Sequence, residues 1–356
     1  MVLGDDGIIQ NAQAAKQATE NTEKEDAKAI GQAAAVLDYY AKKSMAESEL
    51  DEIFTFTEAN PYKGNVAKIV DGNVPIPVGF SHIEGETKDD GIVIIDGNGN
   101  EFVWVPVDEV VNSESEKTDS EKVYLVNNSR DGGDYPNDGK GTTSNKQQEY
   151  VNMKNSVELY GGFYVGRYET SLDEEGRAAS VPGADQIGIY WFASYSRQKE
   201  LYNSSDDSVA SGMIYGSQWD AIMDWMKDVV NPTNNQLYIN NALGMGNYSY
   251  EYFPNGEDYP PEPVYVTLIK TGTNPNYMVN NIYDLAGNGE EFTQEVLDYD
   301  PNGIYVRGGP IGHASGVYGA AAKMEFGMPP ISEGGFDSYL NSTSQNYSSR
   351  LQLYIK

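Results

Sequence analysis

The chain has 356 residues, with 24 Lys plus Arg against 54 Asp plus Glu, a formal charge of −30 and an isoelectric point near 4.2. Nucleic acids and anionic membrane surfaces are polyanions and would repel such a chain, so neither is an expected partner. Hydrophobic residues at 39% and aromatics at 12% are enough for a packed core, while the absence of cysteine excludes disulfides, thiolate metal sites, Fe–S clusters and a cysteine nucleophile.

Histidine occurs twice, at His82 and His313. A three-histidine zinc site is therefore impossible, and a Ser–His–Asp triad has only two candidate bases. No apolar run approaches the roughly 20 residues that span a bilayer, and no signal peptide is recognisable. These features predict either a cytosolic protein or one whose export segment lies upstream. Zero Cys with 27 Tyr and 37 Gly leans towards an exported surface protein.

The first segment, to about residue 58, lacks Pro until the Asn60-Pro61 break and is rich in Ala, Gln, Lys and Glu. Strong helix formers from Ile8 to Met45, with Ile30, Ala33, Ala34 and Leu37 at helical spacing, predict one long amphipathic helix. At 1.5 Å per residue it would reach roughly 55–60 Å. Residues 59–356 read as a separate domain of short strands and turns. Gly91–Asp96 and Glu101–Val107 flank Gly97-Asn98-Gly99-Asn100 and predict a hairpin. Residues 112–150 are polar and read as a long surface loop. Phe163–Glu169 reads as a strand. Ser217, with Asp220 three residues later, predicts a capped helix whose apolar stripe is Trp219, Ile222, Met223, Met226, Val229 and Val230, stopped by Asn231-Pro232. Val264–Ile269 reads as a strand buried on both faces. The chain closes on a half-buried strand, with Leu351, Leu353 and Ile355 on the core side and Arg350, Gln352 and Tyr354 outward.

Two apparent ligand loops fail on inspection. Asp298–Gly303 begins like an EF-hand, but the twelfth position is Gly309, so no bidentate carboxylate closes it. Gly133–Gly141 has the wrong spacing for a phosphate loop, and Gly141 replaces the hydroxyl that would hold magnesium. His82 reads as a partly buried structural histidine. His313 lies in a Gly-rich stretch with no second histidine near it.

Five segments in order carry a family resemblance: Val74–Val107, Gly161–Ser171, Ser211–Trp225, Asn281–Thr293 (NIYDLAGNGEEFT) and Tyr305–Gly309 (YVRGG). Together they resemble the formylglycine-generating-enzyme-like domain, a variant of the C-type lectin fold, over residues 74–356. The resemblance implies an α+β fold of that type behind the N-terminal helix. It departs at Glu290 and Phe292, which implies a repacked strand. The catalytic branches of the family use a copper-binding cysteine pair or an iron site of three histidines, and this composition supplies neither. The resemblance extends to the variable proteins of diversity-generating retroelements, which use the fold to display a changeable ligand face. It also implies that a family calcium site would survive, if at all, at Asn288, Gly289 and Glu291, with a carboxylate from Glu291 and a backbone carbonyl from Gly289.

A second resemblance covers Met1–Lys28 (MVLGDDGIIQNAQAAKQATENTEKEDAK). It is similar to the stretch after the membrane segment of type IV pilin-like proteins of Gram-positive bacteria, and implies an upstream transmembrane anchor and other pilin-like subunits as partners. The expectation is therefore a non-catalytic, cell-surface, adhesin-like protein whose partner is a protein or carbohydrate ligand. Its ligand face would lie between Arg307 and Arg350, using His313, Tyr318, Met324, Phe326, Phe336, Tyr339, Asn341, Gln345 and Tyr347, because tyrosine and amide side chains make adaptable contacts at low entropy cost. The rival expectations are a structural minor pilin without a ligand and an enzyme of unrecognised chemistry.

Overall fold

The computed structural model describes residues 64–131, 146–186, 188, 191–226, 238–240, 246–247, 268–297, 303–309, 319–327 and 347–356. The chain divides into two units at Gly64/Asn65, and the description concerns the second. The expected N-terminal helix, Val264–Thr267, Val229, Val230 and the Asp298 and Gly133 loops lie outside the described residues.

The early strands are β1 (Val66–Val70), β2 (Val74–Pro77), β3 (Ser81–Glu84), β4 (Val93–Ile95), β5 (Glu101–Pro106), β6 (Glu109–Val111) and β7 (Tyr124–Val126). Helix α1 (Lys146–Tyr160) precedes β8 (Gly162–Gly166), β9 (Ser171–Leu172) and β10 (Ala178–Ala179). Helix α2 (Trp191–Glu200), β11 (Val209–Met213) and helix α3 (Gly216–Asp224) follow. The later strands are β12 (Met278–Val279), β13 (Ile282–Tyr283), β14 (Glu290–Val296), β15 (Gly303–Arg307), β16 (Lys323–Gly327), β17 (Tyr347–Ser349) and β18 (Leu351–Ile355). The protein is thus mixed α+β, mostly sheet with few helices among the described residues.

The largest sheet has the order β11-β18-β8-β5-β4-β3. The expected hairpin is its β4–β5 pair, in register Val93 with Val103 and Ile95 with Glu101. Its turn is held by Asp96, whose Oδ1 accepts from the Asn98 and Asn100 amides at 2.8 Å each. At Gly162 the chain runs so close to β5 that a Cβ would lie 2.3 Å from the Val105 carbonyl oxygen and 2.5 Å from the Trp104 ring, so only glycine fits. The main core fills the space against α1 and α3 with Val103, Val105, Phe163, Val165, Ile214, Trp219, Ile222 and Trp225.

A second sheet has the order β16-β15-β14-β17, with β14 and β17 parallel. Its own core joins Phe292, Ile304 and Val306 to Trp191, Phe192 and Tyr195 of α2 and to Met213 of β11. The Trp191 and Tyr195 rings stack at 5.0 Å and 6°.

Four expectations from the sequence are corrected. Residues 112–150 are not one surface loop: Glu114–Glu116 forms a 3-10 turn, β7 pairs in parallel with β6, and α1 begins at Lys146. Val123, Tyr124 and Leu125 are buried there. Helix α1 has few apolar residues, and it packs through Tyr150, Met153 and Val157 alone at helical spacing.

Ser217 is not the cap of α3. The helix starts at Gly216, and the carboxylate of Asp131 accepts from the Gly216 amide at 3.0 Å and the Ser217 amide at 2.8 Å. A full negative charge on those orphan amides suits the helix N-terminus better than a hydroxyl. Gln218, not Asp220, turns back to accept from the Tyr215 amide at 3.1 Å.

The closing strand β18 is not half-buried. Leu351, Leu353 and Ile355 are inside as expected, but so are Arg350 and Gln352, and Tyr354 is partly covered. The strand sits between β8 and β11 with packed layers on both faces, so alternation in the sequence did not mean exposure. Lastly, the Phe163–Glu169 strand is shorter than expected and ends at Gly166. His82 lies on β3, half-buried, with Nε2 2.7 Å from the Gly85 carbonyl oxygen, in keeping with its structural reading.

Candidate functional site

The residues expected to form the ligand face divide into two groups. His313, Tyr318, Phe336, Tyr339, Asn341 and Gln345 lie outside the described residues. They belong to segments 310–318 and 328–346, which connect β15 to β16 and β16 to β17. Met324 and Phe326 are on β16 and Tyr347 on β17, so every expected residue stands on the second sheet or on a connection between its strands. Met324 and Tyr347 are partly buried against the second core. The Tyr347 ring stacks on Phe292 at 5.3 Å and 11°. Both side chains therefore pack as well as border the face.

The strands carrying this face are fixed by a carboxylate with a surplus of cations. Glu295 of β14 is buried, and three cations converge on it. Arg130 Nη2 lies 2.8 Å from Oε1, Arg307 Nη2 2.8 Å from Oε2, and Lys323 Nζ 2.5 Å from Oε1. Asn128 adds a hydrogen bond of 3.0 Å to Oε1. Arg307 also reaches Asp220 of α3 at 2.8 Å. Lys323 sits 3.9 Å over the Tyr305 ring, and Arg130 lies 5.4 Å from the same centroid. Burial opposes the charge on Glu295, but Arg307 and Lys323 outweigh it and hold the carboxyl below its ordinary value. Lys323 is held below its own ordinary value by burial and by the neighbouring Arg307 and Arg130, despite the Glu295 contact. This one cluster ties β14, β15, β16 and α3 together.

The opposite end of β14 carries a carboxylate-rich cluster. Glu291 and Arg350 are completely buried and paired, with Arg350 Nε 3.0 Å from Glu291 Oε2. The guanidinium also donates to the Gly166 carbonyl at 3.0 Å and the Tyr283 carbonyl at 2.9 Å, which joins β8, β13 and β14 at one point. Glu169 lies beside them, accepting from the Gly289 amide at 3.0 Å, from Gln186 Nε2 at 3.0 Å and from Asn288 Nδ2. Asp284 accepts from Thr271 Oγ1 and the Gly272 amide, both at 2.9 Å. Burial, then Asp284 and Glu291, push Glu169 well above the ordinary carboxylate range. Burial also raises Glu291 and Asp284, although Arg350 opposes both shifts.

These contacts decide how Asn288, Gly289 and Glu291 suit a calcium ion. They share one turn, as the sequence implied, with Asn288 at φ 61°. Asn288 Oδ1, however, already accepts from Asn247 Nδ2 at 2.8 Å and the Ile269 amide at 3.0 Å. Gly289 presents its N–H to Glu169, and Glu291 spends its oxygens on a guanidinium. A cation would have to displace Arg350, so the residues do not fit a calcium site. Among the described residues no group of His, Asp and Glu could hold a metal ion.

Sequence reading missed Glu169, Asp131, Glu295 and the roles of Arg307 and Arg350. The available signal was Arg307 and Arg350 at the edges of apolar strands, where an unpaired cation is costly and a buried partner is required. Among the described residues no helix is long and apolar enough to cross a membrane. No protein-family model matches the chain, and no curated protein is significantly similar to it.

Proposed function

We propose that this chain is a non-catalytic, surface-displayed ligand-binding protein. Its domain is of the C-type lectin type, in the formylglycine-generating-enzyme-like variant, behind a pilin-like N-terminal segment. Segments 310–318 and 328–346 form the recognition face, and His313, Tyr318, Phe336, Tyr339, Asn341 and Gln345 make the contacts. The partner is a protein or carbohydrate on another surface, and the protein acts outside the cell, held by an upstream anchor and by other pilin-like subunits.

The observation that carries this reading is the Glu295 cluster. It anchors β15 and β16, from which both segments depart, through ionic contacts that involve no residue of the segments themselves. Such an arrangement lets segment sequence change without loosening the framework. The finer fold assignment draws support from the terminal strand at the centre of the main sheet and from the ordered run of family-like segments that build it.

The test is to replace 328–346 with a Gly–Ser linker of equal length and screen both proteins against immobilised glycans and extracellular proteins. The expected result is an unchanged melting temperature with loss of every interaction of the native chain. Retained binding, or no interaction by the native chain in the screen, would overturn the reading.

A further inference from the structure

On the far side of β11 and β18 lies a cavity of about 120 Å³. None of its lining residues belongs to segments 310–318 or 328–346, so it is a site distinct from the proposed recognition face. Its volume is close to that of a cavity known to accept a benzene-sized ring. Its floor is Gly212, across the strand pair from Gln352. A Cβ at Gly212 would lie 3.0 Å from Gln352 Nε2 and 3.8 Å from Gln294 Nε2, so two amide side chains converge where glycine leaves room.

Gln294 supplies the feature that points to a ligand. It is only 1% exposed, its Nε2 donates to the Met213 carbonyl at 2.6 Å, and its Oε1 has no hydrogen-bond partner. A buried carbonyl oxygen without a donor costs about 1–3 kcal/mol, so a native protein that keeps one beside a cavity has a use for it. The ligand must bring a donor.

The other lining groups narrow its chemistry. The charges at the mouth are already compensated: Glu149 pairs with Lys199 and accepts from Tyr195 Oη at 2.9 Å. An ionic ligand would meet no free counter-charge among these pairs, and would break one by entering. The groups left over are amides, and an aromatic face from Tyr354. Amides serve hydroxyls well because each hydroxyl both donates and accepts. Ring faces pack against the apolar C–H side of a saturated ring.

We propose that this cavity binds a neutral polyhydroxylated six-membered ring, a pyranose sugar or a cyclitol, with Gln294 Oε1 accepting one ligand hydroxyl and Gln352 a second contact on the same edge. The cavity takes one ring and no more.

The full chain is titrated with glucose, galactose, mannose, N-acetylglucosamine and myo-inositol at millimolar concentration, with glycine and inorganic phosphate as charged controls. Binding is read by saturation-transfer NMR and by the side-chain amide resonances of Gln294 and Gln352. At least one neutral ring should bind and shift both amides, while the controls do not. Gln294→Met removes the acceptor at nearly constant volume, and Gly212→Ala narrows the floor with Gln294 in place. Each should weaken binding about tenfold or more. If one variant fails to fold, the other reads the same loss, and the amide shifts of the native chain need no variant. The proposal is overturned if no neutral ring binds, if only the charged controls bind, or if binding leaves both amides unshifted or survives both substitutions unweakened.

Discussion

Glu291 and Glu295 stand on one strand, four residues apart, and both are fully buried, yet they are driven in opposite directions. Around Glu291 the carboxylates outnumber the cations: Glu169 and Asp284 share the neighbourhood of a single guanidinium, Arg350. Around Glu295 the cations outnumber the carboxylate, with Arg130, Arg307 and Lys323 in contact. Burial opposes ionisation at both sites. The local ratio of charges therefore decides which carboxyl keeps its proton, and burial alone does not. The difference also has a structural use. The carboxylate-rich end closes the interior of the domain, whereas the cation-rich end reaches the surface through Arg130, Lys323 and Asp220 and braces the proposed recognition face.

The largest expected effect comes from removing the scarce charge. Arg350→Ala leaves buried carboxylates uncompensated and two backbone carbonyls without their donor, and should cost about 3–5 kcal/mol at neutral pH in urea unfolding. Because the stranded carboxyls can be neutralised, the deficit should shrink as pH falls towards the ordinary carboxylate range. A deficit of equal size at all pH values would break the comparison, since it would mean that lost packing and not lost charge dominates.

Next in size is a pH term at Asp131, which caps α3 but has burial and the nearby Glu295 working against its charge. Its carboxyl is raised from 3.8 to about 6. Between these values the folded chain holds a proton that the unfolded chain has released, so stability falls as pH rises through the window. The loss is on the order of 3 kcal/mol. Asp131→Asn keeps an acceptor for the helix and should remove this step from a plot of unfolding free energy against pH. Glu295 has the reverse sign: its carboxyl is lowered, so its contribution is complete above the ordinary value of 4.5 and is lost as pH falls through the folded value. A step that persists unchanged in Asp131→Asn would assign it to Glu169, Asp284 and Glu291 instead, which are raised and share its sign.

Arg307→Ala removes one cation of three from Glu295 and should cost about 2 kcal/mol, visibly less than Arg350→Ala, because Lys323 and Arg130 remain. Equal costs for the two arginines would show that cation surplus gives no protection. The smallest effect is expected at Tyr347, whose stacking on Phe292 predicts a loss of about 1–2 kcal/mol on replacement by Ala. A loss below about 0.5 kcal/mol would place the ring on the display surface and not in the second core.

Particular elements show how far the sequence could be read. The β4–β5 hairpin was legible because its turn is local: Asp96 holds Asn98 and Asn100 within the same few residues. The apolar stripe of α3 was legible for the same reason, as period and burial agree at Trp219, Ile222 and Met223. Helix α1 was not legible, because only Tyr150, Met153 and Val157 mark its buried face. The cap of α3 was not legible either, since its carboxylate comes from Asp131, far upstream. Of the candidate site, the turn at Asn288–Glu291 was found, but its partners Glu169 and Arg350 were not.

The sequence by itself determined the classes of chemistry open to the protein, since two histidines and no cysteine exclude them whatever the fold, and it determined the elements whose stabilising contacts are local. Only the tertiary structure decided the fate of the charges. Whether Arg350 faces water or anchors the interior depends on which strands flank β18, and whether Glu291 meets calcium or a guanidinium depends on where Arg350 lands. Electrostatic energy varies with distance and burial in space, and neither follows from separation along the chain.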